Sequence, residues 1–169
     1  MPEVGDIIQE AINLEIFGNY YYNSMKEVID SDEGKSLLTF LADAEKEHQA
    51  TLEELMVKTG GEIRSTNVDE IVAEISKNEG IEAVFNTLLS KGSLEKLDAI
   101  EAVKIGINVE QKSIDFYTHH AETSDNNDLK ETFAHFTDIE KKHKQALEEN
   151  LNNLQNEGAW YGYLPILEG

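Results

Sequence analysis

The sequence predicts an all-α fold, a four-helix bundle made of two repeated helical hairpins that are joined by a long helical crossover. First, residues 4–56 align without a gap with residues 99–151, so one hairpin pattern occurs twice, 95 positions apart. Second, the only prolines are Pro2 and Pro165, which leaves the chain between them free to form long helices. Third, apolar residues recur at helical spacing along four long segments.

The first hairpin consists of two amphipathic segments. Residues 4–30 are predicted to form the first helix, and residues 33–58 the second. Ser31 precedes the second helix and is a suitable N-terminal cap, since its hydroxyl can accept a free backbone N–H. The Gly60–Gly61 pair is predicted to end that helix.

The second hairpin repeats the pattern after a crossover. The third helix is predicted to begin at Ser93, and the fourth covers residues 127–156. Between the hairpins, residues 62–92 contain two shorter helical patterns, Val68–Lys77 and Ile81–Ser90. One long crossover is what ferritin-like bundles use between their second and third helices.

The chain is predicted to form one bundle domain with a short tail. Residues 1–157 form the bundle, including the crossover, and residues 158–169 form an apolar, aromatic and non-helical tail. Such a segment normally packs on another surface. Two alternatives stay open: the tail makes the protein a homodimer or larger homo-oligomer, or it covers the open end of its own bundle.

Composition excludes several classes of function. The chain has no cysteine, so disulfides, zinc–thiolate sites, iron–sulfur clusters and thiol chemistry are ruled out. A formal net charge of -20 repels phosphate backbones, which argues against nucleic-acid binding. No apolar run is long enough to span a membrane, and the N-terminus lacks an export signal, so we expect a cytoplasmic protein without membrane contact.

Each repeat carries the same set of potential metal ligands inside its apolar stripes. A glutamate lies 30 residues before a Glu-x-x-His motif in both halves. The three-residue spacing places the Glu and the His on one helix face, about a turn apart. One such motif would be weak, but the matched register of two makes solvated carboxylates and core histidines the lesser alternative. The predicted ligands are Glu15, Glu45, His48, Glu110, Glu140 and His143.

Four inward-facing carboxylates need cations, because an unpaired buried carboxylate costs several kcal/mol. Two divalent ions balance four negative charges. We expect Glu45 and Glu140 to bridge the two ions, each of which is completed by one further Glu and one His. The remaining ligands divide by repeat: Glu15 with His48, and Glu110 with His143.

Six side chains leave open positions on two ions, as is typical of catalytic rather than structural metals. Carboxylate oxygens with one imidazole per ion suit iron or manganese, and zinc would bind as well. We expect two iron ions per chain, with manganese or zinc as the alternatives. Dioxygen, peroxide or water could bind at the open positions.

Tyr22 and Tyr117 lie two turns after the glutamates Glu15 and Glu110 on the same faces. They could hydrogen-bond ligand carboxylates and supply electrons or protons, and simple core filling is an equally good interpretation. Gly18 and the matching Ser113 lie one turn from these glutamates. Their small side chains are consistent with a pocket beside the metals and, equally, with close helix packing.

The remaining histidines and two further glutamates are not predicted ligands. His119, His120 and His135 have no Glu three residues earlier, so we expect them at the surface or beyond the direct ligands. Glu53 and Glu148 lie two turns beyond the bridging glutamates. An iron access path is one interpretation of this pair, and a solvated bundle end is the better one.

Taken together, these motifs resemble the di-iron domain of rubrerythrins, within the ferritin-like superfamily. The resemblance covers nearly all of the chain except the crossover and the tail. It implies an enzyme that reduces peroxide by oxidising a di-ferrous centre. Rubrerythrins usually carry a rubredoxin-like module with paired Cys-x-x-Cys motifs, which this chain lacks. Ile107 stands where the family often has an extra carboxylate, one turn before the glutamate of the third helix.

We therefore expect a di-iron oxidoreductase that reduces hydrogen peroxide or dioxygen with electrons from an external donor such as a rubredoxin. The alternative is a ferritin-like iron-handling protein that oxidises ferrous iron without a dedicated donor. A helical interaction module with a vestigial site is a third interpretation, and it predicts no stoichiometric metal.

Overall fold

The computed structural model describes residues 3–64, 67–78 and 96–162. These ranges are almost entirely helical, and the predicted all-α fold is confirmed. Among them, no helix is long and apolar enough to cross a membrane. The helices in chain order are α1 (Val4–Val28), α2 (Asp32–Lys58), α3 (Val68–Asn78), α4 (Lys96–Thr123) and α5 (Asn127–Glu157).

Both ends of α2 use the residues that the sequence analysis marks, and α5 has caps of the same kind. The Ser31 hydroxyl accepts the backbone N–H of Gly34 at the start of α2, at 3.1 Å. The Asn126 side chain caps α5 in the same way. Beyond the other ends, Gly60 follows α2 and Gly158 follows α5, with φ of 77° and 75°. This left-handed conformation is readily adopted by glycine, so both helices end sharply.

Two helical hairpins pack face to face to form the bundle. The pair α1–α2 is one hairpin and α4–α5 is the other, while α1 also contacts α4 and α2 contacts α5. The short helix α3 packs against α1. Two predictions about the crossover, a helix at Ile81–Ser90 and a third-helix start at Ser93, lie outside the described residues.

Two apolar clusters fill the bundle, one on each side of its middle. One contains residues such as Tyr21, Leu41 and Leu147. The other contains residues such as Ile12 and Phe133, nearer the opposite end. On α2, α4 and α5, the predicted ligands fall between the segments that contribute to the two clusters, and on α1 Glu15 lies close to the point where the two segments meet. Apolar packing therefore separates the middle of the bundle from water on both sides.

The start of the C-terminal tail packs on its own bundle. The buried Asn150 amide accepts the backbone N–H groups of Tyr161 and Gly162 at 3.0 and 2.8 Å, and it donates to the Gly162 carbonyl at 2.9 Å. The Trp160 ring lies on the core over Gly34, where a Cβ atom would be 2.8 Å from the ring. For these described residues, the tail covers the bundle end, and residues 163–169 lie outside the description.

Candidate metal centre

All six residues that the sequence predicts as ligands lie buried at the middle of the bundle. α1 and α4 supply one glutamate each, whereas α2 and α5 each supply a Glu-x-x-His pair. Their exposed fractions are Glu15 0%, Glu45 2%, His48 6%, Glu110 1%, Glu140 0% and His143 2%. Such burial is rare for carboxylates unless they are paired or bind a metal.

The six side chains form two overlapping groups of four. In each group, one potential ligand atom per residue lies within 4.8 Å of the others. Glu45 and Glu140 belong to both groups, which is the position that the sequence analysis assigns to bridging ligands. The groups are Glu15, Glu45, His48 and Glu140, and Glu45, Glu110, Glu140 and His143.

In the first group, one polar atom of each residue lies close to the others but has no hydrogen-bond partner among the described residues. His48 Nδ1 lies 2.9 Å from Glu140 Oε1 and 3.3 Å from Glu15 Oε2. Even so, Nδ1 of His48 and one oxygen each of Glu15, Glu45 and Glu140 lack a hydrogen-bond partner within the described chain. Buried, unsatisfied acceptors are costly, and a cation between them would satisfy them together. The donor set thus fits the di-iron centre that the ferritin-like ligand pattern implies.

The second group is arranged around His143. Its Nδ1 atom lies 3.0 Å from Glu140 Oε2, 3.6 Å from Glu45 Oε1 and 3.8 Å from Glu110 Oε2. Glu140 therefore approaches both histidines, one with each carboxylate oxygen. This geometry places Glu140 at the centre of the cluster.

Burial and mutual repulsion shift the pKa values of the carboxylates. Burial, followed by the charge of Glu140, raises the pKa of Glu110 to about 8. Burial also raises the pKa of Glu45 well above its ordinary value, with Glu15 and Glu140 adding to the effect. Without a cation, Glu110 therefore holds its proton at neutral pH, and the shift of Glu45 favours its protonated form.

For the two histidines and the central Glu140, the pKa shifts favour the charged forms. Burial alone would lower the pKa of His48, yet the adjacent Glu140 and Glu15 raise it to about 9. The pKa of His143 is likewise raised against the effect of burial by Glu110 and Glu140. Burial would raise the pKa of Glu140, but contacts with His143 and His48 lower it. Cation binding would release the extra protons, because metal ligands must be deprotonated.

Two tyrosines connect the hairpins at the cluster. The Tyr22 hydroxyl on α1 donates to Glu110 on α4, and the Tyr117 hydroxyl on α4 donates to Glu15 on α1. Each tyrosine thus contacts the glutamate of the other repeat rather than the one on its own helix. Burial, together with the contacted carboxylate, raises the pKa of both hydroxyls, so both remain neutral donors.

Two phenylalanines cover the imidazole rings. Phe136 stacks on His48 with ring centroids 4.4 Å apart, and Phe40 meets His143 edge-on at 5.6 Å. The two imidazoles lie 5.8 Å from each other. The helical stripe of α5 includes Phe136, but no signal in the sequence identifies Phe40 as a neighbour of a ligand on another helix.

The other histidines and glutamates lie outside both groups. His119 and His135 are exposed, and His120 is partly buried against Phe116. Glu53 accepts a hydrogen bond from Gln49 at 2.8 Å. Its counterpart Glu148 pairs with Lys144 at 3.5 Å. These local contacts leave an iron access path through the two glutamates as a prediction only.

A cavity of about 370 Å³ lies between α1, α3 and α4. Its wall includes Leu14 and Val109, which immediately precede Glu15 and Glu110 in the chain. Ser113, one turn after Glu110, also lines it. The cavity therefore lies along the α1–α4 seam and is large enough for small molecules, but none of the six clustered residues lines it.

Comparison with known proteins gives one family match. A family model described as Rubrerythrin matches residues 6–151, a range that contains both repeats and all six clustered residues. Searches of curated proteins and of solved structures found no match.

Proposed function

Because the chain belongs to the rubrerythrin family of ferritin-like di-iron domains, we propose that it is an oxidoreductase with a di-iron centre. With iron bound, the protein would reduce hydrogen peroxide, or dioxygen, to water. Each peroxide takes up two electrons and two protons, and each dioxygen takes up four of each. The electrons come from an external donor such as a rubredoxin. Iron is the proposed metal, and manganese or zinc would occupy the same ligands.

One observation carries this proposal: two groups of four buried potential ligands share Glu45 and Glu140, and several of their atoms have no hydrogen-bond partner among the described residues. A structural role alone would not require such a costly set of charges. Two ions held by six side chains keep open positions, where a small oxidant can bind. When bound, the di-iron centre would supply the electrons for reduction of the O–O bond.

The residues of the chain hold, orient and protect the centre. Tyr22 and Tyr117 hold Glu110 and Glu15 through hydrogen bonds that cross between the hairpins. Their hydroxyl groups also hold protons next to the carboxylates. The apolar clusters on both sides exclude water, which limits side reactions.

The alternative function is ferritin-like oxidation of ferrous iron, without a dedicated electron donor. It is favoured by composition, since this chain has no cysteine with which to bind the iron of a rubredoxin-like relay. In that case the ferrous ions would be substrate as well as cofactor. The homo-oligomeric state and the cytoplasmic location remain predictions under both functions.

Stopped-flow mixing distinguishes the two functions. Anaerobic protein loaded with ferrous iron is mixed with hydrogen peroxide or with dioxygen, and near-ultraviolet absorption of the ferric product is followed. We expect a fast reaction with peroxide that stops after one oxidation unless reduced rubredoxin is supplied. No reaction with peroxide would refute the peroxidase proposal, whereas sustained oxidation of many ferrous ions per chain would favour iron handling. The same assay is run on His48→Ala, which lacks one proposed ligand. His135→Ala, at an exposed position, is its control.

A further inference from the structure

Gly18 lies in the interior of α1, directly against the side chain of Glu45. A Cβ atom on Gly18 would lie 2.7 Å from Glu45 Oε2 and 3.1 Å from Glu45 Cδ. The shorter distance is one that real Cβ contacts almost never show. Glycine is also a poor helix former, so its presence here weakens α1 locally. The carboxylate of Glu45 therefore occupies space that exists only because residue 18 has no side chain.

Gly34 and Gly61 have similarly close contacts, with Trp160 and Met56, but among the glycines of the described helices Gly18 is the one that meets a clustered carboxylate. At Gly106, which is also buried inside a long helix, a Cβ would lie 3.3 Å from Leu147 and 3.5 Å from Tyr22. A small movement of those side chains would accommodate it. In the second repeat, the position that matches Gly18 is Ser113, a buried residue that has a side chain. The space next to the bridging glutamate is thus a feature of one repeat only.

The two central carboxylates differ accordingly. Glu140 directs both of its oxygens at histidines, at 2.9 Å from His48 and 3.0 Å from His143. Glu45 directs only Oε1 at a histidine, at 3.6 Å from His143, while its Oε2 rests over Gly18. The repeat makes these two glutamates equivalent in sequence, but the structure makes them inequivalent in orientation.

From this asymmetry we propose that Gly18 is a positioning residue that gives the Glu45 carboxylate room to stand back from the middle of the cluster. Glu45 would still hold both ions together with Glu140, and the space in front of its carboxylate would admit a small exogenous ligand. The ligand class is a small anion or peroxide, which fits beside the helix without displacing a protein ligand. This inference rests on the proposed two-metal centre and assigns the side of the centre on which the oxidant binds.

Azide binding to the iron-loaded, oxidised protein tests the role of Gly18. Azide is a small anion whose binding to ferric iron is followed by its charge-transfer absorption, independently of turnover. In Gly18→Ala, the new methyl group would push the Glu45 carboxylate towards the ions, where it would take up the space that the small ligand needs. We expect two irons per chain and an azide dissociation constant at least about tenfold higher than in the wild type, about 1.4 kcal/mol. Gly5→Ala is the control on the same helix, because a Cβ there makes only an ordinary contact, 3.8 Å from Met56 Sδ, and it should retain wild-type azide affinity.

Each other outcome overturns the inference in a recognisable way. Unchanged azide affinity in Gly18→Ala, with both irons bound, would show that the space over Gly18 does not control the open position. Loss of an iron would mean that Glu45 needs this space in order to bind metal at all. A variant that fails to fold would assign Gly18 to packing, because alanine otherwise favours the helix. Wild-type protein without two irons would instead refute the proposed function.

Discussion

Replacing Glu110 by Gln should stabilise the metal-free protein at alkaline pH. The carboxyl of Glu110 is 1% exposed, and its pKa is raised to about 8 from an ordinary value of 4.5. At about 1.4 kcal/mol per pH unit, that difference corresponds to up to about 5 kcal/mol of destabilisation once the group is ionised. Glutamine has the same shape and still offers Tyr22 an acceptor oxygen, but it carries no charge.

The sign of the pH dependence follows from which state releases its proton first. Between pH 4.5 and about 8, unfolded Glu110 is ionised while folded Glu110 keeps its proton, so wild-type stability falls as pH rises. The raised pKa of Glu45 acts in the same direction. His48, with a pKa of about 9, extends the loss of stability to that pH. Glu140 acts in the opposite direction, because its pKa is lowered. It stabilises the folded protein at pH values above the ordinary glutamate pKa, and this stabilisation is lost in acid. Metal-free wild type should therefore be most stable near pH 4.5.

Urea unfolding at half-unit steps from pH 4.5 to 9 measures the effect. The protein is kept with a chelator in about 0.5 M NaCl, which screens repulsion between surface carboxylates more than repulsion inside the bundle. We expect Glu110→Gln and wild type to be equally stable near pH 4.5 and to diverge in favour of the variant by pH 8.5. With iron bound, the order should reverse, because an amide is a poorer ligand than a carboxylate.

The control for this experiment is Glu122→Gln, at an exposed position of α4. It should leave the pH profile of wild type unchanged. The reasoning would be refuted if metal-free wild type were equally stable from pH 5 to 8.5. It would also be refuted if Glu110→Gln lost stability at pH 8.5 relative to wild type.

Three further predictions concern ligands, tyrosines and tail. Glu140→Ala should lower the content of both irons, whereas His48→Ala should mainly remove one, and elemental analysis showing equal losses would contradict the bridging assignment. Tyr117→Phe removes the donor to Glu15 and should lower the free energy of unfolding of the metal-free protein by about 1–3 kcal/mol, measured in urea. An unchanged free energy of unfolding would argue that this hydrogen bond is not stabilising. Asn150→Ala should make the tail susceptible to limited proteolysis and lower the free energy of unfolding by about 2 kcal/mol. A tail that stays uncut would contradict the role of Asn150 in holding residues 161–162.

Sequence reasoning succeeded where the repeat constrained it. The predicted helix at 33–58 begins one residue after the observed start at Asp32, and the fourth helix, predicted at 127–156, ends at Glu157. Capping residues such as Ser31 and Asn126 explain this accuracy, since they satisfy backbone groups locally. The six clustered residues were found because polar side chains interrupt apolar stripes in the same register twice.

Contacts between different helices could not be predicted from the sequence in this way. Tyr22 was placed on the face of Glu15, but seven residues span about 10.5 Å along a helix, so its hydroxyl reaches another helix instead. Its partner, Glu110, depends on how α1 and α4 pack. The fit of Trp160 over Gly34 depends on the path of the tail, which no periodicity encodes. The side chain that lies against Gly18, Glu45 on α2, likewise depends on how the helices pack.

The central claim is that the buried cluster binds two irons between Glu45 and Glu140. Crystals of the protein loaded anaerobically with ferrous iron, measured at the iron absorption edge, test it most directly. The account predicts two anomalous peaks per chain, about 3.5–4 Å apart, with both glutamates in contact with both peaks. Glu15 and His48 should flank one peak, and Glu110 and His143 the other. A single peak, or iron bound only at surface carboxylates, would contradict the account.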